Sequence, residues 1–298
     1  MELFSALCEA NIKTERNVPL APYTTFHIGG NAALLCTPES DNELTAALKL
    51  CREYGSRFYL LGRGSNTLFA DEGFDGVVLH LAEGLDELTI NADGTVVVGA
   101  GTNLMQLCKK AAELSLSGLE FAYGIPGSVG GAIYMNAGAY GGEMKELVTK
   151  VEYLDQTGHL CTAQGRELCM SYRTSRFAQQ GGVILRAFLQ LYPGRHDEIL
   201  AKMEELRAKR AEKQPLDKPS AGSTFKRPKG AYAAELIDRC GLKGHCVGGA
   251  AVSEKHSGFV VNLGNASCAD VLQLCDEVSK IVKEKTGFTL EKEIKVVK

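Results

Sequence analysis

Gly124-Ile125-Pro126-Gly127-Ser128-Val129-Gly130-Gly131-Ala132-Ile133-Tyr134-Met135-Asn136-Ala137-Gly138-Ala139-Tyr140-Gly141-Gly142 is the stretch on which the reading of this chain turns. Seven of its nineteen residues are glycine. A packed helix or strand disfavours that many, because glycine costs backbone entropy and brings no side chain to bury. A loop that presses its backbone against a ligand favours them, since amides without flanking Cβ atoms can converge on one anion. Pro126 removes one donor and fixes a turn. Gly127-Ser128-Val129-Gly130-Gly131 then offers consecutive free amides and a hydroxyl. The plain alternative is a tight connection between two elements. Seven glycines broken by apolar residues favour a phosphate or diphosphate cradle.

A second glycine loop lies upstream. Phe58–Leu61 reads as a short buried strand and runs directly into Gly62-Arg63-Gly64-Ser65-Asn66. A dinucleotide fingerprint would need a third glycine at position 67, where this chain has Thr, and then a long helix, which the following residues do not open. The usual doubly wound nucleotide fold is therefore disfavoured. Two loops far apart in sequence can still hold one long diphosphate ligand from two sides.

The 298 residues are 45% hydrophobic and 23% charged, ordinary for a globular chain with ample core. A net charge of −3 gives no reason to expect nucleic acid or an anionic membrane as partner. Ten cysteines occur without any C-x-x-C pair, so zinc and thioredoxin-type signatures are missing and buried reduced thiols are expected. The six histidines never reach a metal-ligand spacing, and no metal is expected. There is no signal-like amino terminus and no apolar run of membrane-spanning length, so a cytoplasmic location is expected; separately, a monomer with small-molecule partners is expected.

Along the chain, a strand–helix–strand start suggests a small α/β lobe, with Ser40 and Glu43 at capping-box spacing before a helix. Thr95–Ala100 and Val183–Tyr192 read as strands, and Thr102 or Asn103 can cap a helix carrying Leu104, Leu107, Cys108 and Ala111. His196–Glu212 is a charged helix, Ser267 and Asp270 cap a long helix, and Phe288–Val297 reads as a final strand. The expected organisation is 1–80, a first lobe; 81–193, a second; and 194–298, a C-terminal region.

Three places pair unusual local sequence with reactive side chains. Ser171–Phe177 carries Arg173 and Arg176 among aromatic and hydroxyl residues, which suits bidentate grip on a carboxylate or phosphate, or a solvated surface loop. Gly222-Ser223-Thr224-Phe225-Lys226 places a serine in a glycine turn near a lysine, either a proton donor or a backbone cap. Glu291 and Glu293 would share one face of a strand, with surface carboxylates as the default. No Gly-x-Ser-x-Gly elbow is present. Two cradles without a metal or nucleophile signature point to an organic cofactor that supplies the chemistry.

With these residues in view, the chain resembles the UDP-N-acetylenolpyruvoylglucosamine reductase family over nearly its whole length. The resemblance is carried by Tyr23–Gly30, Leu61–Asn66, Gly124–Ala132, Asn136–Gly141, Tyr172-Arg173, Gly222–Lys226, Gly241–Gly244, Val252–His256 and Leu290–Glu293. It looks like the shorter subclass, which lacks an extra substrate-covering loop with its tyrosine. Arg227 stands where that family usually has Asn, and Lys292 where it usually has Pro.

The resemblance implies an α+β chain: a two-lobed FAD-binding fold of the vanillyl-alcohol-oxidase type with a C-terminal α/β substrate domain. It implies FAD as cofactor and NADPH as co-substrate, reduction of the enolpyruvyl ether of a UDP-sugar in peptidoglycan precursor synthesis, and ping-pong kinetics. Cofactor contacts would come from Gly62, Gly64, Ser65, Asn66, Gly124, Ile125, Pro126, Gly127, Ser128, Val129 and Gly130. Arg173 and Glu293 would stabilise the intermediate and Ser223 would donate the proton, with Lys226, Lys243 and Arg227 toward substrate. A flavin-dependent alcohol oxidase of the same fold and a non-catalytic nucleotide-binding protein are the alternatives. The trio Arg173, Ser223 and Glu293 speaks against the second, because a pure binder has no use for it.

Overall fold

The computed structural model describes residues 2–298. The chain groups into two compact units. One gathers the chain up to Arg16, Leu34–Arg63 and Gly76–Lys209; the other gathers Asn17–Ala33, Gly64–Asp75 and Arg210–Lys298. The sequence reading cuts the chain serially, whereas these units interleave.

In the first unit, helix Asp41–Glu53 turns Leu44, Ala47, Leu48 and Cys51 inward at helical spacing. They pack with Leu7, Cys36, Val77, Leu79, Val183 and Leu185 into one core. Ser40 starts the helix by accepting the Glu43 amide (3.2 Å), but Glu43 returns its carboxylate to the Glu39 amide (2.9 Å), one residue before the expected partner. Strand Phe58–Leu61 runs parallel to Phe74–His80, with Phe58 opposite Val77 and Leu61 opposite His80. Both belong to a four-stranded sheet in the order Lys13–Pro19, Asn31–Thr37, Phe74–His80, Phe58–Leu61.

A second core in the same unit lies on a five-stranded antiparallel sheet. Its order is Leu160–Gln164, Val148–Leu154, Val183–Gln190, Thr95–Gly99, Leu88–Ile90. Val183–Gln190 occupies the centre, which is why its alternate residues Leu185, Ala187 and Leu189 are buried to within 3% exposure. Helix Leu104–Glu113 is capped by Asn103, whose Oδ1 accepts the Met105 amide at 2.9 Å.

The other unit contains a four-stranded antiparallel sheet in the order Ser220–Ser223, Phe259–Asn262, Ala250–Val252, Cys246–Val247. The sheet shares a core with helices Ala233–Arg239 and Cys268–Thr286. The long helix opens with the expected capping box: Ser267 Oγ accepts the Asp270 amide (3.0 Å), and Asp270 accepts the Ser267 amide (3.0 Å). The final strand is much shorter than expected. Only Lys295–Val297 is regular, paired in parallel with Thr67–Phe69, and Lys292 makes a single bridge to Phe225. Glu291 and Glu293 therefore sit in an irregular segment and share no strand face.

Candidate cofactor and substrate sites

The first glycine loop leaves the sheet at Leu61, whose carbonyl still accepts the Leu81 amide at 2.8 Å. After it, among the described residues none accepts from the backbone amides of residues 62–66. Of these residues only Gly64 is buried, so its amide is the one that departs from the usual pairing of buried donors. Consecutive amides of this kind can turn toward an external acceptor such as a diphosphate.

Within the first unit, Gly62 closes on the second glycine loop. A Cβ at Gly62 would lie 2.6 Å from Ser128 Oγ, closer than real Cβ contacts allow. Gly130 is pressed similarly onto Ala100, whose Cβ a side chain there would meet at 2.9 Å. Glycine keeps position 62 clear of the Ser128 side chain and position 130 clear of the Ala100 Cβ and carbonyl.

The second loop differs from expectation in one respect. Val129–Tyr134 is a short helix inside the glycine stretch, and it consumes donors that sequence reading left free. Val129 N–H donates to Thr102 O (2.9 Å), Gly130 N–H to Ala100 O (2.8 Å) and Gly131 N–H to Ser128 Oγ (3.3 Å). The first turn of a helix has no internal acceptors for its amides, so neighbouring groups must satisfy them. Gly124, Gly127 and Ser128 keep amides that no described residue accepts. The amides that this second loop leaves available to a ligand are thus those of Gly124, Gly127 and Ser128. That neutral, backbone-lined set suits a diphosphate-bridged cofactor.

Arg173 sits in the same unit, at the tip of a tight loop in which Ser171 and Thr174 exchange backbone hydrogen bonds of 3.1 Å each. Its φ is +54°, uncommon for a residue with a side chain and a mark of imposed geometry. Its guanidinium lies 5.2 Å from the Tyr172 ring centroid, and Nη2 donates to Gly138 O at 3.1 Å.

The other unit brings Ser223 and Glu293 into one backbone arrangement. Ser223 ends its strand opposite Phe259, solvent-exposed, with a hydroxyl that bonds to no described group. The next residue, Thr224, accepts the Glu293 amide on its carbonyl (2.8 Å), while its Oγ1 accepts the Val260 amide (2.9 Å). Asn66 Nδ2 donates to Glu293 O at 3.3 Å, so the end of the first glycine loop is tied to the same segment. Lys226 does not point its charge at Ser223 unopposed: Nζ pairs with the Glu291 carboxylate. Lys243 Nζ pairs with Asp238 at 2.9 Å, and the Arg227 guanidinium lies 4.4 Å over the Tyr232 ring. His256, assigned no role from sequence, edges onto Phe259 with ring centroids 4.9 Å apart. Its Nδ1 accepts the Gly258 amide at 3.1 Å, and burial holds its pKa below the usual histidine value.

Among the described residues no group of three or more His, Cys, Asp or Glu side chains converges as a metal site. Among the same described residues no helix is long and apolar enough to cross a membrane.

Residues 32–164 match the FAD binding domain family, which makes the chain an FAD-binding oxidoreductase of α+β fold. Residues 214–297 match the family described as UDP-N-acetylenolpyruvoylglucosamine reductase, C-terminal domain. A UDP-N-acetylenolpyruvoylglucosamine reductase from Caldanaerobacter subterraneus subsp. tengcongensis is 47% identical over 282 residues, 94% of this chain and 92% of the relative. One from Lachnoclostridium phytofermentans is 45% identical over 292 residues, covering 96% and 94%. The crystal structure of UDP-N-acetylenolpyruvylglucosamine reductase from Thermus caldophilus superposes with a TM-score of 0.82 at 40% identity, over 96% of this chain and all of that one (100%). A berberine bridge enzyme variant, 16% identical with a TM-score of 0.51 over 65% of this chain, shares the fold alone. The chain belongs to the UDP-N-acetylenolpyruvoylglucosamine reductase family.

Proposed function

We propose that this protein reduces the enolpyruvyl ether of UDP-N-acetylglucosamine to UDP-N-acetylmuramate with electrons from NADPH, as a cytoplasmic monomer. The observation that carries the reading is kinship along nearly the entire chain: reductases of this family align over 94% and 96% of it. Two glycine loops, each with unclaimed amides, support the cofactor part: residues 62–66 in one, and Gly124, Gly127 and Ser128 in the other, each a backbone suited to a phosphate. FAD held there would supply the hydride-transfer chemistry that links NADPH to the substrate alkene.

The chain's own residues manage charge and protons. Hydride addition to the terminal alkene carbon puts negative charge on the neighbouring carbon, spread into the carboxylate. Arg173 offers a forked, permanently charged donor set to that charge, a role in which losing one preorganised donor costs about 3 kcal/mol. Ser223, whose hydroxyl bonds to no group among the described residues, donates the proton that completes reduction. Glu293 assists only as a protonated acid that donates a hydrogen bond, as carboxyls kept neutral at other enolate-forming sites do.

Lys226, Lys243 and Arg227 are proposed to meet the UDP diphosphate. Lys226 and Lys243 must first leave Glu291 and Asp238. Both ion pairs are part-exposed, with carboxylates 72% and 52% accessible, so exchanging each for a phosphate sacrifices only about 0–1 kcal/mol.

The test is the flavin spectrum of the purified protein under anaerobic conditions. Bleaching by NADPH and return of colour on adding UDP-N-acetylglucosamine enolpyruvate are expected. A flavin that bleaches, ignores that substrate and reoxidises rapidly with oxygen would make the protein an oxidase of this fold. A colourless protein that takes up no FAD would overturn the cofactor reading.

A further inference from the structure

Asn136 stands in the Asn136–Gly141 run that carries the family resemblance, yet nothing so far gives it a task. Its side chain is 1% exposed, deep for a polar residue. Oδ1 accepts the Lys145 amide at 2.9 Å. Nδ2 donates to Glu143 Oε2 at 2.9 Å and to Ser171 O at 3.0 Å. One acceptor and both N–H donors are used, and only an asparagine supplies that set on so short a stem.

The two donor bonds lead to Arg173. Ser171 is the base of the loop whose tip is Arg173, and its carbonyl is held on one side by Thr174 N–H and on the other by Asn136. The guanidinium is anchored on Gly138 O, two residues beyond Asn136 on the same segment. Arg173 is thus tied at its backbone and at its side chain to the segment that Asn136 holds in place. An arginine at φ +54° keeps that conformation only when its surroundings impose it. Glu143, the third partner, also faces Lys145 Nζ at 2.7 Å. Its carboxyl is held below the usual glutamate range by hydrogen bonds from Lys145 and then Asn136, with the Arg173 charge adding to the effect. Arg173 and Glu143 therefore belong to one charge network with Asn136 at its centre.

We infer that Asn136 is the positioning residue for Arg173, locking the loop 171–174 and the Gly138 anchor so that the guanidinium is aimed before substrate arrives. The inference rests on the reductase reading above. Asn136→Ala deletes all three bonds. Asn136→Asp keeps the Lys145 bond but sets a carboxylate oxygen against Ser171 O and the Glu143 carboxylate.

The experiment is a cycle of wild type, Asn136→Ala, Arg173→Ala and the double variant, with the two flavin half-reactions followed separately by anaerobic stopped flow. For Asn136→Ala, FAD content and reduction by NADPH stay within about twofold, while reoxidation by the enolpyruvyl substrate slows by about 10²-fold, the typical penalty for a misaimed group. In the Arg173→Ala background the same substitution slows reoxidation by less than about twofold more, because the two act as a unit. Asn136→Asp shows at least the loss of Asn136→Ala. If Asn136→Ala does not retain FAD, Asn136→Ser is read in its place. Losses that multiply independently, or fall equally on both half-reactions, overturn the assignment. A wild type that fails to reoxidise with the enolpyruvyl substrate overturns the reductase reading, and this role with it, whereas normal wild-type turnover with independent losses overturns the role of Asn136 alone.

Discussion

Replacing Ser223 by alanine separates chemistry from stability, because the structure makes the stability term small. Ser223 is exposed at a strand end, its hydroxyl bonds to no described group, and its pairing opposite Phe259 is a backbone matter that alanine preserves. Substitutions of that kind shift folding free energy by no more than about 0.5 kcal/mol, roughly 1–2 °C in Tm for a chain of this size. The chemical term is much larger. Loss of a general acid slows the step it serves by about 10²–10⁴-fold, or roughly 2.7–5.4 kcal/mol of barrier. The assay is anaerobic stopped flow on the visible flavin absorbance, with reduction by NADPH and reoxidation by UDP-N-acetylglucosamine enolpyruvate measured on the same preparation, alongside a thermal melt. The expected pattern is an unchanged melt, unchanged reduction and a reoxidation slowed into that range. Equal slowing of both half-reactions, or reoxidation at the wild-type rate, would refute Ser223 as the proton donor.

Gly62→Ala should weaken cofactor retention, because its methyl would sit 2.6 Å from Ser128 Oγ and push aside the oxygen that caps helix Val129–Tyr134. Losing such a cap costs about 1 kcal/mol, and FAD released on dilution, read by its fluorescence, should rise accordingly. Asp155 has its pKa lowered to about 2, first by the Thr157 hydroxyl and then by the amides of the 155–159 turn. A carboxyl depressed in the folded state contributes stability above its unfolded pKa of about 3.9 and loses it as pH falls toward the folded value. Melts should therefore decline between about pH 4 and pH 2, with a shallower slope in Asp155→Asn. Thiol reactivity should divide by burial: Cys8, Cys169 and Cys246 are exposed, while burial pushes Cys36 up to about 11 and Cys51, Cys108 and Cys275 up to about 12. An aromatic disulfide reagent at pH 8 should titrate the exposed thiols in the native protein and all ten after unfolding.

The sequence by itself determined whatever depends on neighbours a few residues apart. Ser267 and Asp270 announced their capping box because both partners lie in one turn. Leu44, Ala47, Leu48 and Cys51 announced a buried helix face by spacing alone. The two glycine loops were legible because glycine density is a local property, and the order of motifs from Tyr23 to Glu293 sufficed for the family.

Tertiary structure decided where hydrogen bonds and charges find distant partners. Thr67–Phe69 takes its strand partner from Lys295–Val297, a pairing across more than two hundred residues that no local pattern encodes. Thr224 O receives the Glu293 amide, which is what brings the Ser223 and Glu293 segments together. The amides of Val129 and Gly130, free on paper, are taken by Thr102 and Ala100, because a helix start must satisfy its donors with whatever carbonyls the fold supplies. Lys226 meets Glu291, and Asn136 reaches Ser171 thirty-five residues away. Each of these is a contact between groups remote in sequence, and only chain closure, with its entropy offset by the rest of the core, determines which remote groups meet.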